Sequence, residues 1–233
     1  MPVFEQYGIR ALFTTRQYDM AFEPTGCLPG RKDAKRLLGD SCRNMASPSQ
    51  VHGDMIKIVK RNEGGKGAIT RETAFQDTDA LITKEKNLPL GILTADCLPV
   101  FIVNPSAQCI GLVHAGWKGM KLGIVEKTIK EMTCAYNAEP EEAIIAFGPS
   151  IRQCCYEVGS DFRQYFPDSV KNDKNKFYFD LIHSASGQLQ ACGVKEKNIY
   201  DCAICTSCFK DEFFSFRREK EAAGRSLSFM EIL

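Results

Sequence analysis

The chain has 233 residues, of which 44% are hydrophobic and 25% charged, and its net charge is +1. That length suits a substantial hydrophobic core, and the near-neutral balance points to no nucleic acid and no strongly charged partner. Met1 to Thr15 shows no basic segment leading into a long apolar run, and no stretch approaches the roughly 18 apolar residues of a membrane span, so no membrane partner is expected and the expected location is cytoplasmic. Eleven cysteines is a high count, but a secreted disulfide scaffold would normally be shorter and lead with a signal sequence. They read as reduced thiols, some of them ligands and most of them small buried hydrophobes.

In chain order, Gly8 to Thr15 reads as a strand. Glu23 to Arg36, rich in Pro, Gly and charge, reads as a loop leading into a short helix. Met55 to Val59 is a β-branched strand, and Arg61 to Gly67, with three glycines, is a turn or mobile loop. Leu90 to Thr94, Pro99 to Val103 and Cys109 to His114 are short apolar runs, the pattern of buried strands that end in functional loops. After Ala115-Gly116-Trp117-Lys118-Gly119, the residues Leu122, Val125, Ile129 and Met132 mark one apolar helix face. Ala143 to Phe147 is a strand, Asp180 caps a second helix that ends near Gly193, and Ile199 to Ile204 and Leu227 to Ile232 are strands that close the sheet. No repeat or linker divides residues 1–233, so one domain is expected. Strands outnumber helices without regular alternation, which favours an α+β layered sandwich over a doubly wound parallel sheet.

The chemistry concentrates at strand ends. Of the three histidines, two stand beside glycine, in Val51-His52-Gly53 and in Val113-His114-Ala115-Gly116; between them Thr94-Ala95-Asp96-Cys97 follows another strand. Two imidazoles and a thiolate are zinc-type ligands, and three protein ligands leave a fourth position open, as in catalytic zinc. An ion held in this way lowers the pKa of bound water to about 7. Asp96 is the candidate for orienting one imidazole. Spacing alone leaves the plainer readings standing: a hydrogen-bonded surface histidine for His52 or His114, and a core thiol for Cys97. Cys202-x-x-Cys205-x-x-Cys208 suits a second metal, a redox pair or simple packing; no fourth ligand is evident, and structural thiols are the adopted reading. His183 reads as an ordinary helix residue, and Trp117 as packing the turn after His114 rather than stacking on a ligand.

Five blocks together carry a family resemblance. They are Gln50-Val51-His52-Gly53-Asp54; Leu93-Thr94-Ala95-Asp96-Cys97-Leu98-Pro99-Val100; Val113-His114-Ala115-Gly116-Trp117-Lys118-Gly119; Phe147-Gly148-Pro149-Ser150-Ile151 with Cys154-Cys155-Tyr156-Glu157-Val158-Gly159; and Phe213-Phe214-Ser215-Phe216-Arg217-Arg218. In this order they resemble the laccase-domain or polyphenol oxidase family, also known as YfiH/YlmD-like purine nucleoside phosphorylases. The resemblance implies a layered sandwich of mixed sheets flanked by helices, similar to the catalytic domain of cytotoxic necrotizing factor toxins. It implies one zinc ion on His52, Cys97 and His114, which would also be the catalytic residues, with copper the lesser candidate. It implies phosphorolysis of adenosine, guanosine, inosine and methylthioadenosine, with adenosine deamination as a second activity, so the expected partners are purine nucleosides and phosphate.

Arg16, in Thr14-Thr15-Arg16, and Arg217 or Arg218 are candidates for the phosphate, and Glu157 for a ribose hydroxyl or purine N–H. For each arginine a surface ion pair is the plainer alternative. Two departures stand out. Gln17 to Gly30 differs from the Ser- and Asn-containing stretch usual in the family, and Lys118 replaces a more usual arginine, keeping charge but losing the bidentate fork. The family's older name suggests a multicopper oxidase, but coupled copper centres need many histidines and this chain has three. The rival readings are a metal-free hydrolase with Cys97 as nucleophile and His114 as base, and an amidase editing peptidoglycan precursors.

Overall fold

The structure, a computed structural model, describes residues 1–21 and 37–233. The expected loop and short helix at Glu23 to Arg36 lie outside the described residues. The strands are β1 (Ile9–Phe13), β2 (Ile56–Ile58), β3 (Ala80–Thr83), β4 (Leu90–Thr94), β5 (Leu98–Asn104), β6 (Cys109–Ala115), β7 (Ile144–Phe147), β8 (Glu157–Val158), β9 (Val170–Asp173), β10 (Lys176–Phe179), β11 (Ile199–Asp201) and β12 (Ser226–Ile232). The helices are α1 (Ser41–Asn44), α2 (Trp117–Lys121), α3 (Ile124–Tyr136), α4 (Phe162–Tyr165), α5 (Leu181–Ala191) and α6 (Phe216–Glu219).

A six-stranded mixed sheet, β11-β7-β5-β6-β3-β2, forms the centre. Its inner strands are apolar on both faces because both faces are covered. Val100 and Ile102 of β5 and Val113 of β6 pack with Ile124, Val125, Ile129 and Met132 of α3 and with Leu181 and Leu189 of α5. The alternate residues Phe101, Val103, Ile110 and Leu112 pack with Ile9, Leu90, Ile92, Met230 and Ile232 of a second sheet, β1-β12-β4. The period of two along each strand thus feeds two cores, one per face. Each fully buried Phe, Leu or Ile there contributes about 1.5–3 kcal/mol. A small antiparallel sheet, β8-β10-β9, is hydrogen-bonded to neither of these and packs on the central core through Phe179. The expected α+β layered sandwich is the observed architecture.

Two expectations need correction. Leu122 is exposed rather than part of the helix face, because the chain turns at Gly123 with φ 78° and α3 starts only at Ile124. The C-terminal segments do not close one sheet: β11 is an edge of the six-stranded sheet, whereas β12 lies between β1 and β4. Asp180 does cap α5, its Oδ1 accepting from the backbone N–H groups of Ile182 and His183 at 3.0 Å each.

Candidate metal centre

The strand register brings His52, Cys97 and His114 together. Leu98 faces Ala115 across the β5–β6 ladder, so Cys97, just before β5, meets the turn at Gly116 that follows β6. Ala80 faces Val113, which sets Asp79 opposite His114, and the His114 backbone N–H donates to the Asp79 carbonyl at 2.8 Å. Strand β2 runs parallel to β3, so the loop before it, carrying His52, reaches the same end of the sheet. One nitrogen from each histidine and the Cys97 sulfur all lie within 4.8 Å of one another. The two imidazoles meet edge to face, with centroids 4.8 Å apart.

One residue that the sequence reading passed over organises this cluster. Asp79 is fully buried. Its Oδ1 lies 2.7 Å from His114 Nδ1 and accepts from the His52 N–H at 3.0 Å, while its Oδ2 accepts from the N–H groups of Val51 at 3.2 Å and Gly53 at 2.8 Å. An ionised carboxylate only accepts, so Nδ1 carries the His114 proton and Nε2 is the nitrogen left for a ligand. The same carboxylate holds the His52 loop, where His52 adopts φ 61°. Gln50 adds a two-way clasp, donating to the Leu93 carbonyl and accepting from the Leu93 N–H, both at 2.8 Å.

Asp96 does not orient an imidazole, contrary to expectation. With φ 86°, it turns its carboxylate to Thr206 Oγ1 at 2.6 Å, Ser215 Oγ at 3.0 Å and the Arg217 N–H at 2.6 Å. It ties the segment before Cys97 to two distant loops. Gly116 is required by space: a Cβ there would lie 2.9 Å from His52 Cδ2 and 3.0 Å from Cys97 Sγ.

The electrostatics make an ion pair of the metal-free cluster. Burial would push the Cys97 thiol up, but the charges and hydrogen bonds of His114 and His52 pull it down to about 6. Burial would lower His114, but the Cys97 thiolate and the Asp79 carboxylate raise it to about 9. Burial would raise Asp79, and its bonds to His114 and the loop N–H groups hold it below the usual carboxylate range. Cys97 and His114 therefore stand as thiolate and imidazolium at neutral pH. Two imidazoles and a thiolate with converging donors match the ligand chemistry of zinc. Exchanging the His114 proton for a divalent ion would add one positive charge beside the Cys97 thiolate and the Asp79 carboxylate.

The other expected residues are spread around this centre. Arg217 donates from its backbone to Asp96 and from Nη1 to the Glu157 carbonyl at 2.7 Å, and its guanidinium lies 5.1 Å from the centre of the Tyr156 ring. Burial pushes the Tyr156 phenol up, and the charges of Cys97 and Asp96 add to it. Arg16 is ion-paired with Glu219 at 3.0 Å and bonded to the Lys210 carbonyl, the plainer of its two readings. Arg218 spends its donors on the carbonyls of Thr206, Ser207 and Phe213 and on Glu219, a structural role. The Glu157 side chain is exposed and pairs with Lys176 at 3.2 Å. Trp117 packs on Phe162, with centroids 5.1 Å apart, and Lys118 lies over its ring. His183 is exposed on α5.

The family model described as multi-copper polyphenol oxidoreductase laccase matches residues 28–233. A purine nucleoside phosphorylase, YlmD, from Geobacillus stearothermophilus is 35% identical over 190 residues, covering 78% of this chain and 69% of that protein. An adenosine deaminase, RL5, from an unknown prokaryotic organism is 30% identical over 210 residues, covering 86% and 80%. Among solved structures, Bacillus licheniformis YfiH superposes with a TM-score of 0.91 at 26% identity, over 99% of this chain and 94% of that one. The crystal structure of YlmD from Geobacillus stearothermophilus gives 0.90 at 29% identity, over 97% and 92%.

Proposed function

The chain belongs to the multi-copper polyphenol oxidoreductase laccase family, and on that footing we propose that it is a purine nucleoside phosphorylase with one zinc ion held by His52, Cys97 and His114. The observation that carries this reading is the convergence of those three donors at one sheet end, with Asp79 bonded behind His114. Relatives named purine nucleoside phosphorylase and adenosine deaminase give the substrate class, a purine nucleoside. The family's name speaks of several coppers. Three histidines in all, with His183 apart on α5, favour a single ion at this centre over a coupled copper cluster.

When bound, the ion supplies Lewis-acid polarisation and activation of an oxygen nucleophile. The chain's own residues do the rest. Asp79 keeps the His114 proton on Nδ1 and fixes the His52 loop, so the donors need little rearrangement to accept a cation. His114 gives up its extra proton as the cation arrives. Arg217 is the arginine best placed to receive phosphate, because one face of its guanidinium rests on Tyr156 while only one of its terminal nitrogens is bonded to the protein among the described residues. Arg16 is a second candidate, and its partner Glu219 competes for it. Glu157 would accept from a ribose hydroxyl or purine N–H after exchanging its exposed pairing with Lys176.

The test is incubation of the zinc-loaded chain with adenosine, guanosine, inosine and methylthioadenosine, with and without phosphate. Free base and sugar-1-phosphate in equal amounts, only with phosphate, are expected: ribose-1-phosphate from the first three and its 5-methylthio analogue from methylthioadenosine. Inosine from adenosine without phosphate would reveal the deaminase activity. No phosphate-dependent base release from any of the four would overturn the assignment.

A second reading has its own observation. The Cys97 thiolate hydrogen-bonded to protonated His114 is the resting pair of a cysteine hydrolase. That pair would suit hydrolysis of an amide, including one in a peptidoglycan precursor. It predicts turnover that survives removal of the metal and is lost to thiol alkylation.

A further inference from the structure

Four cysteines outside the first site converge at the same end of the central sheet. Strands β7 and β11 are parallel neighbours, so the loops that leave them run side by side. The first loop carries Cys154 and Cys155, and the second carries Cys205 and Cys208. Cys202 does not join them: it stays beside Arg152, 3.7 Å from Nη2. The missing fourth ligand of the Cys202-x-x-Cys205-x-x-Cys208 pattern is thus resolved by a different set, drawn from two loops about fifty residues apart.

We propose that Cys154, Cys155, Cys205 and Cys208 form a second metal site, a tetrathiolate that binds one zinc ion and staples the loop after β7 to the loop after β11. The sulfurs of Cys154 and Cys155 are 3.8 Å apart, those of Cys154 and Cys208 3.7 Å, and those of Cys155 and Cys208 3.4 Å; all four lie within 4.8 Å of one another. A tetrahedron with metal–sulfur bonds of about 2.3 Å has edges of about 3.8 Å. Disulfides need sulfurs about 2.05 Å apart, and these four are thiols. Burial does not explain the gathering, because Cys154 and Cys208 are exposed. Four thiols with no polar work to do would otherwise be scattered through the core.

The backbone around them is built as a ligand cradle. The Ser150 N–H donates to the Ile204 carbonyl at 3.3 Å, and the Thr206 N–H returns to the Ser150 carbonyl at 3.0 Å, which fixes the two loops against each other. The N–H groups of Arg152 and Cys208 donate to the Cys205 sulfur, an arrangement that stabilises a thiolate ligand. From Cys202 to Ser215 the chain has no strand or helix, so a cross-link there would add to the hydrogen bonds from Ser150, Asp96 and Arg218 that hold this loop. Binding releases the thiol protons to solvent, and no electrons are transferred.

The site shares no ligand with the His52 cluster, and its existence does not depend on the function proposed above. Its effect reaches that cluster nonetheless. Thr206, between Cys205 and Cys208, donates to Asp96, the neighbour of Cys97. Tyr156, directly after Cys155, lies under Arg217. The second ion would therefore set the floor on which the first site rests.

The experiment uses the full chain, reduced and stripped of metal, then loaded with zinc or with cobalt(II) as a spectroscopic probe. Two ions per chain are expected. Cys97→Ser should keep one, with the strong sulfur-to-cobalt charge-transfer bands of a tetrahedral tetrathiolate. The double variant Cys205→Ser, Cys208→Ser should lose those bands and bind one ion instead of two. A readout on the unaltered chain guards against misfolding: zinc should slow alkylation of Cys154, Cys155, Cys205 and Cys208 by about tenfold or more, while the exposed Cys134 and Cys202 react as before. The proposal is overturned if Cys97→Ser binds no ion and zinc leaves alkylation of the four unchanged. Recovery of the four as disulfides that take up no zinc after reduction would overturn it equally.

Discussion

Replacing Asp79 by asparagine keeps the side chain's size and removes its charge. Oδ1 serves His114 Nδ1 and the His52 N–H, and Oδ2 serves the Val51 and Gly53 N–H groups. An amide presents one oxygen and one NH2, so whichever way it lies, two donors face another donor. Hydrogen bonds to a charged group contribute about 1.5–3 kcal/mol each, and with partial relaxation the loss should be about 3 kcal/mol. For a chain of this size that lowers Tm by roughly 6–12 °C. Zinc affinity should fall about 10–100-fold, because the His114 tautomer and the His52 loop are no longer held. The pH dependence follows from the direction of the Asp79 shift. Its carboxyl is held below the ordinary range in the folded chain, so it contributes stability above about pH 4 that is lost as pH falls through the folded value. The unaltered chain and Asp79→Asn should therefore converge in acid and diverge above that range. Thermal unfolding of the metal-free proteins across pH, with zinc affinity measured against a competing chelator, checks both parts. A variant with unchanged Tm and unchanged zinc affinity at neutral pH would refute the reasoning.

Three further outcomes are expected. Gly116→Ala places a methyl 2.9 Å from the His52 ring and 3.0 Å from the Cys97 sulfur. The backbone there has φ −79°, which alanine tolerates, so the variant should fold normally and bind zinc at the His52 cluster at least about tenfold more weakly, as circular dichroism and chelator competition would report. In the metal-free chain Cys97 is pulled down to about 6 and His114 raised to about 9, so loading the His52 cluster at pH 7.5 should release close to one proton from this pair, supplied by His114. Calorimetry in buffers of different ionisation enthalpy, on Cys205→Ser, Cys208→Ser to isolate that cluster, measures it; release near zero would contradict the thiolate–imidazolium pair. Arg217→Ala should raise the KM for phosphate about tenfold or more with zinc content unchanged, whereas breaking the partly exposed Arg16–Glu219 pair should cost under about 1 kcal/mol of stability.

How much of this was legible beforehand depends on range. The inner strands announced themselves because β5 and β6 are buried on both faces and read as unbroken apolar runs. His52 and His114 stood out because the chain has only three histidines, Cys97 because it stands at a strand end, and the family blocks joined them. Asp79 carried no such signal: it precedes a four-residue strand that went unread, in a stretch with no glycine or histidine beside it. Its role comes from the register of β3 against β6, a non-local pairing. Asp96 misled for the opposite reason, since it is the sequence neighbour of Cys97 but turns away toward Thr206 and Ser215. The four-cysteine cluster was hidden because it depends on β7 and β11 lying parallel, and Cys202 drew attention by its spacing alone. The small sheet escaped notice because β9 is mostly exposed and polar, leaving no hydrophobic alternation to read.

The most direct test of the central claim removes all metal with a chelator, assays adenosine with phosphate, and then restores zinc in steps to Cys205→Ser, Cys208→Ser and to the unaltered chain. The account predicts no base release without metal, and recovery in proportion to zinc bound at His52, Cys97 and His114. Full turnover in the metal-free chain, lost only when Cys97 is alkylated, would contradict it.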